Sequence, residues 1–181
     1  MTKFLAVTCV VGFAALSVAC GTEPIDNSFT ATLSGDTSHT FEGEAIFGVS
    51  TSQTHENWVI VLSRGTPGGL DFDAIAIGRH RSGTPIGEGT YVIEDAEDDT
   101  LEDDDIDAVY ILRRSEDGAL GQYNSLSGTL TITSADSDEV RGEFTFTTSH
   151  YLSSGSFEDV IDLTISGSFT AIRGNVPSAV S

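Results

Sequence analysis

Residues 94–107 carry ten carboxylates in fourteen positions of a 181-residue chain, a density of oxygen ligands that suits a hard cation. Ca²⁺ takes six to eight oxygens in flexible geometry. Asp103, Asp105 and Asp107, alternating along Asp103-Asp104-Asp105-Ile106-Asp107, are therefore candidate Ca²⁺ ligands, and Ca²⁺ is the one cofactor the sequence suggests. The spacing lacks the turn glycine and distal glutamate of an EF-hand loop, so a solvated acidic loop, extended by its own repulsion, is the competing reading.

Other chemistry is sparse. His39, His55, His80 and His150 are scattered, and none stands two or four residues from another as a paired metal ligand would. Arg79-His80-Arg81, with Arg113-Arg114, forms a local basic cluster in an acidic chain, suited to gripping an anion or to compensating the acidic run itself. Glu42 with Glu44, and Asp71 with Asp73, stand two apart and read as solvated pairs turned away from the apolar side of their strands. The sequence contains no Gly-x-Ser-x-Gly elbow, no His-Glu-x-x-His and no phosphate-binding glycine loop, so no enzyme activity is expected.

The elements that must position these groups are strands. Apolar residues recur at every second position, Thr and Ser fill the alternate places, and glycine-rich turns break the runs. Strands are expected over 28–33, 40–49, 57–64, 70–78, 89–94, 107–113, 125–133, 139–147 and 159–172. Nine strands on short connections predict an all-β fold, an antiparallel β-sandwich or flattened barrel. The runs 58–62, 72–77 and 106–112 are apolar on both alternations and are expected to be central or covered on both faces. Trp58, the only tryptophan, reads as a core anchor.

Five strands share an internal repeat: Phe41-Gly43-Ala45-Phe47, Gly87-Gly89-Tyr91-Ile93, Leu126-Gly128-Leu130-Ile132, Val140-Gly142-Phe144-Phe146 and Ile165-Gly167-Phe169-Ala171. A side-chain period of two turns Gly43, Gly89, Gly128, Gly142 and Gly167 toward the apolar face, while Glu42, Glu44, Thr129, Thr131, Glu143, Thr145, Ser168 and Thr170 point outward. Inward glycines let strands bend or make room for a bulky neighbour. Alternatively they line a ligand cavity, which is the basis for a second functional reading, a barrel that binds a small apolar molecule.

At the N-terminus, Lys3 precedes an uncharged apolar run that ends at Ala19, the pattern of a signal peptide. The run is shorter than the roughly 20 residues that span a bilayer and has no basic flank behind it. Residues 1–19 are accordingly expected to be removed, leaving a tether at 20–27, an all-β domain at 28–173 and a loose tail at 174–181. Cys9 leaves with the leader, so Cys20 has no thiol to pair with. Loss of Lys3 takes the formal net charge from −20 to −21 and leaves no lysine. Such a surface repels phosphate backbones and anionic head groups, so no nucleic-acid partner is expected. It also resembles the surfaces of proteins from high-salt habitats.

Leu16-Ser17-Val18-Ala19-Cys20 resembles the lipobox of bacterial lipoproteins, with Ser17 where that motif usually has Leu, Val or Ile. The resemblance implies that Cys20 becomes the lipidated N-terminus, and that the chain is exported and held at the cell envelope through its lipid. Gly21 lacks the aspartate associated with inner-membrane retention, which favours the outer membrane. Phe29-Thr30-Ala31-Thr32-Leu33, Gly89-Thr90-Tyr91, Ser127-Gly128-Thr129-Leu130-Thr131-Ile132-Thr133 and Gly142-Glu143-Phe144-Thr145-Phe146 are similar to strand patterns of uncharacterised bacterial lipoprotein domains. That resemblance implies an all-β domain on an anchor and no particular activity. The expected function is therefore a membrane-anchored acidic module for structure or interaction, followed by the apolar-ligand barrel and, last, a hydrolase-like enzyme.

Overall fold

A computed structural model describes residues 27–35, 38–51, 55–65, 71–97, 100–113, 120–152 and 163–176, and gives no side-chain account of 113, 120 and 149–152. The expected signal peptide, Cys20 and the tether up to residue 26 lie outside the described residues, as do Leu70, residues 159–162, Arg114 and the tail beyond Val176. The side chains of Arg113 and His150 also fall outside that description.

The described elements are nine strands: β1 (Ser28–Ser34), β2 (His39–Thr51), β3 (Glu56–Arg64), β4 (Phe72–Arg79), β5 (Gly89–Ile93), β6 (Ile106–Arg113), β7 (Leu120–Ala135), β8 (Glu139–Leu152) and β9 (Leu163–Arg173). Their order is β5-β7-β6-β4-β3-β2-β1-β9-β8, and β7 also pairs with β8. Eight strands thus close on themselves into a barrel, with β5 as the extra strand. All neighbours are antiparallel except for a two-residue parallel contact at Ile46↔Ile172 and Phe47↔Arg173. An eight-stranded barrel is just wide enough for its own side chains to fill it. The inward residues Phe29, Phe41, Phe47, Trp58, Ile60, Leu62, Ile75, Ile77, Tyr110, Phe144, Phe146 and Phe169 belong to one buried cluster. Trp58 is in that cluster, with its ring centroid 6.0 Å from that of Phe47.

The inward glycines explain how so many rings fit. Gly43 lies opposite Phe29, Gly128 opposite Phe146, Gly142 opposite Phe169 and Gly167 opposite Phe144 in the strand register. A Cβ on Gly43 would stand 2.9 Å from the Phe29 ring, and one on Gly167 2.9 Å from the Phe144 ring. Each also meets a backbone carbonyl of an adjacent strand. The space that a ligand inside the barrel would need at these four positions is occupied by phenylalanine side chains and main chain, so they open no interior cavity. Gly89 keeps the expected phase, opposite inward Ile132, but lies at the exposed start of β5, with a φ of 154° and the Tyr91 ring beside it. Leu126 is also exposed, because the register of β7 on β8 slips between Ser125 and Ser127. A bulge inserts one residue and reverses the alternation beyond it.

One ionisable residue departs from its expected face. Asp73 shares its phase with Ile75 and Ile77 and is fully buried inside the barrel. The pair with Asp71 is therefore not a solvated pair on the outer face. Register places Arg64 opposite Asp73, where the two side chains form an ion pair. The Tyr110 hydroxyl donates to the Asp73 carboxylate at 2.9 Å. Arg64 also lies 5.7 Å from the Phe41 ring centroid. Charge complementarity and hydrogen bonding offset the cost of burying the carboxylate.

The strands expected to be apolar on both faces, β3, β4 and β6, are consecutive neighbours. Their outward residues Val59, Val61, Ala76 and Val109 form a second apolar cluster with Ile46 and Val176. The segment from Gly174 to Val176, expected as the start of a loose tail, is held here: the Gly174 N–H donates to the Phe47 carbonyl at 2.9 Å.

Candidate functional site

β5 and β6 both pair with the same edge of β7, β5 through Gly89–Ile93 and β6 through residues 109–113. They therefore lie end to end, and the acidic run between them is an excursion from a single line of strand. Ser125, fully buried, clamps the two ends together. Its hydroxyl donates to the Glu94 carbonyl at 2.7 Å and accepts the Ala108 N–H at 3.1 Å. Its carbonyl accepts the Ala96 N–H at 2.9 Å, and the Glu94 N–H donates to the Ile106 carbonyl at 2.7 Å. Every main-chain group at this junction that Ser125 meets is satisfied by one residue of β7.

The far side of the excursion docks on the turn after β4. The Asp104 N–H donates to the His80 carbonyl at 2.9 Å, and the His80 N–H to the Asp105 carbonyl at 2.7 Å. Arg79 Nε lies 3.1 Å from Asp104 Oδ1, and Arg81 Nη1 lies 3.9 Å from Asp103 Oδ1. The basic cluster thus grips the acidic run, one of the roles its sequence suits. The same contacts separate the three candidate Ca²⁺ ligands. Asp103 faces Arg81, Asp105 accepts the Glu102 N–H at 2.8 Å, and Asp107 sits on β6 in a different setting. Among the described residues, no three His, Cys, Asp or Glu side chains are grouped to hold a metal ion.

Asp107 belongs to a groove of about 330 Å³ on the outer wall of β3, β4, β6 and β7. Ile106, Ala108 and Tyr110 point into the barrel, so alternation turns Asp107 and Val109 outward. Gly78 lies opposite Asp107 in the register and leaves room for its carboxyl, whose Oδ1 would be 3.4 Å from a Cβ on that glycine. Val59, Ala76 and Val109 form the apolar part of the groove, and Asn57, Gln122 and Asn124 the polar part. The amides are ordered in a chain. Gln122 Nε2 donates to Asn124 Oδ1 at 3.0 Å, and Asn124 Nδ2 donates to Glu97 Oε1 at 3.0 Å, tying the rim of the excursion to the wall. His55 and His80 also line the groove, their rings 6.2 Å apart.

Burial pushes the Asp107 carboxyl above the ordinary aspartate range, against smaller opposing effects from the charge of His80 and from its own backbone N–H. Desolvation disfavours the charged form of a carboxyl, and the charge of His80 offsets that only in part. Among the described residues no side chain forms an ion pair or hydrogen bond with Asp107. Arg79, which lines the same groove, is turned to Asp104 and to the Thr84 carbonyl, 3.4 Å from Nη1. Chemically, the groove offers a negative charge poorly served by water, beside an apolar floor and a row of amides.

Asp107 entered the sequence reading as a metal ligand, and the groove itself was not foreseen. Gln122 and Asn124 precede the residue at which the seventh strand was expected to begin, so no face was assigned to them. Alternation with inward Tyr123 was the available signal. Comparison with known protein families, curated proteins and solved structures finds no match to the chain.

Proposed function

We propose that this chain is an exported lipoprotein, cut before Cys20 and lipidated there, which holds an acidic β-barrel at the cell envelope, in the outer membrane, as a binding module. The working surface is the outer wall and not the interior. The observation that carries this choice is the pairing of inward glycines with phenylalanines: rings stand at the Cβ positions of Gly43, Gly142 and Gly167, and Phe146 Cβ with main chain at that of Gly128. Concavity with mixed chemistry is found instead at the groove of Asp107. Anchoring is supported by Leu16-Ser17-Val18-Ala19-Cys20. Only seven residues separate Cys20 from β1 at Ser28, a reach of about 25 Å. A barrel of this charge is repelled by anionic head groups, so the lipid, not the protein surface, provides the membrane contact. Binding, without turnover, is the activity assigned to the module.

Metabolic labelling with a fatty acid tests the anchor. The native chain should be labelled and fractionate with membranes, and Cys20→Ser should be neither. Equal labelling of the two refutes the assignment.

A further inference from the structure

We propose that the outer groove binds a small organic cation, an ammonium carried on an apolar body, with the Asp107 carboxylate as its counter-charge. This rests on the reading of the outer wall as the working surface and names its ligand class. Three observations converge on it. Asp107 is half-buried and forms no ion pair among the described residues, and the charge of His80 offsets only part of its burial cost, so a bound cation supplies the remaining compensation. Arg79, which lines the groove, pairs with Asp104, and Arg81 faces Asp103, so neither is paired with Asp107. Beside the carboxylate lie the apolar side chains of Val59, Ala76 and Val109, which suit hydrocarbon.

The donor set argues against a bare metal ion. One carboxylate with neutral amides and the imidazoles of His55 and His80 falls short of the oxygen-ligand charge and number that Ca²⁺ or Mg²⁺ requires, and the described residues contain no metal-ligand cluster. An anion would meet the Asp107 carboxylate, while the guanidinium in the lining, Arg79, is paired with Asp104. An ammonium fits: its N–H groups donate to the carboxylate and to the side-chain carbonyls of the amide row. A volume of about 330 Å³ is at the small end of ligand pockets.

The test is isothermal titration of the full chain with benzylamine and with its neutral analogue benzyl alcohol. It is run at pH 8 and 1 M NaCl, where a Debye length of about 3 Å removes the diffuse attraction of an acidic surface but not a partly buried pair. Benzylamine should bind one-to-one, at least about tenfold more tightly than benzyl alcohol. Asp107→Asn should lose at least about tenfold of the amine affinity. Glu143→Gln, which removes the same charge from the exposed face of β8, should stay within about twofold. Asn is near-isosteric with Asp, and the variant's thermal transition checks that it is folded. Equal binding of amine and alcohol, or amine affinity unchanged in Asp107→Asn, overturns the ligand class while leaving the groove a binding surface. Absence of saturable heat from either probe at about 10 mM overturns the ligand class and the outer-wall reading together.

Discussion

Gly128→Ala distinguishes close approach from ordinary strand glycine by the sign of its effect. Where a Cβ has room, glycine to alanine within a strand gains about 0.5–1 kcal/mol, because alanine loses less backbone entropy on folding. At Gly128 the new carbon would overlap the Thr145 carbonyl oxygen and stand 2.5 Å from Phe146 Cβ and 2.7 Å from its Cα. None of these atoms has a side-chain torsion that can turn it away, so β7 and β8 must separate locally. Overpacking costs about 1–3 kcal/mol even when side chains can yield, and sometimes more. We therefore place Gly128→Ala near 3 kcal/mol of destabilisation, which in a domain of this size lowers Tm by about 6–12 °C. Gly87 is the internal control, since nothing lies within 4 Å of its Cβ position. Gly87→Ala should be neutral or gain up to about 1 kcal/mol. Thermal unfolding of both variants, followed by far-ultraviolet circular dichroism, measures the difference. Equal Tm values for the two would refute the account of the glycines as contact sites.

Asp73→Ala removes the acceptor of the Tyr110 hydroxyl and the counter-charge of Arg64. It should cost about 3 kcal/mol in urea unfolding, whereas a change below about 1 kcal/mol would mean that the buried network is not a stabilising one. Because burial raises the Asp107 carboxyl above its ordinary 3.8, the folded state holds a proton that the unfolded chain releases. This group's contribution to stability therefore falls as pH rises from about 3.8 through the raised pKa. Asp107→Asn lacks that loss, so its Tm should rise relative to the native chain between about pH 4 and 8; parallel curves would contradict the assignment. Monovalent salt should raise Tm by screening the net charge of −20, with most of the gain reached by about 1 M. Millimolar Ca²⁺ added at that salt should contribute nothing further. A Ca²⁺-dependent rise abolished by changing Asp103 and Asp105 to Asn would show that the separated carboxylates can be gathered.

The alternation of apolar residues located each strand to within a few residues, because burial on one face of a sheet imposes a period of two. The extension of β7 back to Leu120 was not visible, since in Leu120-Gly121-Gln122-Tyr123-Asn124 only Tyr123 is a large residue packed against the core beyond the strand's first position. Leu126 read as inward from its spacing, and a bulge, which adds one residue without changing composition, turned it out. Asp73 looked solvated because its partners stand on β3 and β6, and register alone brings Arg64 and Tyr110 to it. The groove was hidden for a similar reason. Its walls meet only because β5 takes a different stretch of the β7 edge from β6 and so leaves β4 beside β6. The glycine repeat was legible in the sequence; the phenylalanine opposite Gly43, Gly128, Gly142 and Gly167 was not, until strands were paired.

The clasp at Ser125 gives the barrel an insertion port in the middle of a strand line. Its hydroxyl and carbonyl hold Glu94, Ala96 and Ala108 to one point of β7, so the length of chain between Glu97 and Asp105 is uncoupled from closure of the barrel. Loop entropy then changes slowly, by about 0.6 kcal/mol for each doubling of length. A residue added within β6 itself would instead turn every following side chain to the opposite face. Segments of very different size and charge can be exchanged at this point while the packed interior stays as it is, and each exchange rebuilds the rim of the groove through the position that Glu97 occupies against Asn124.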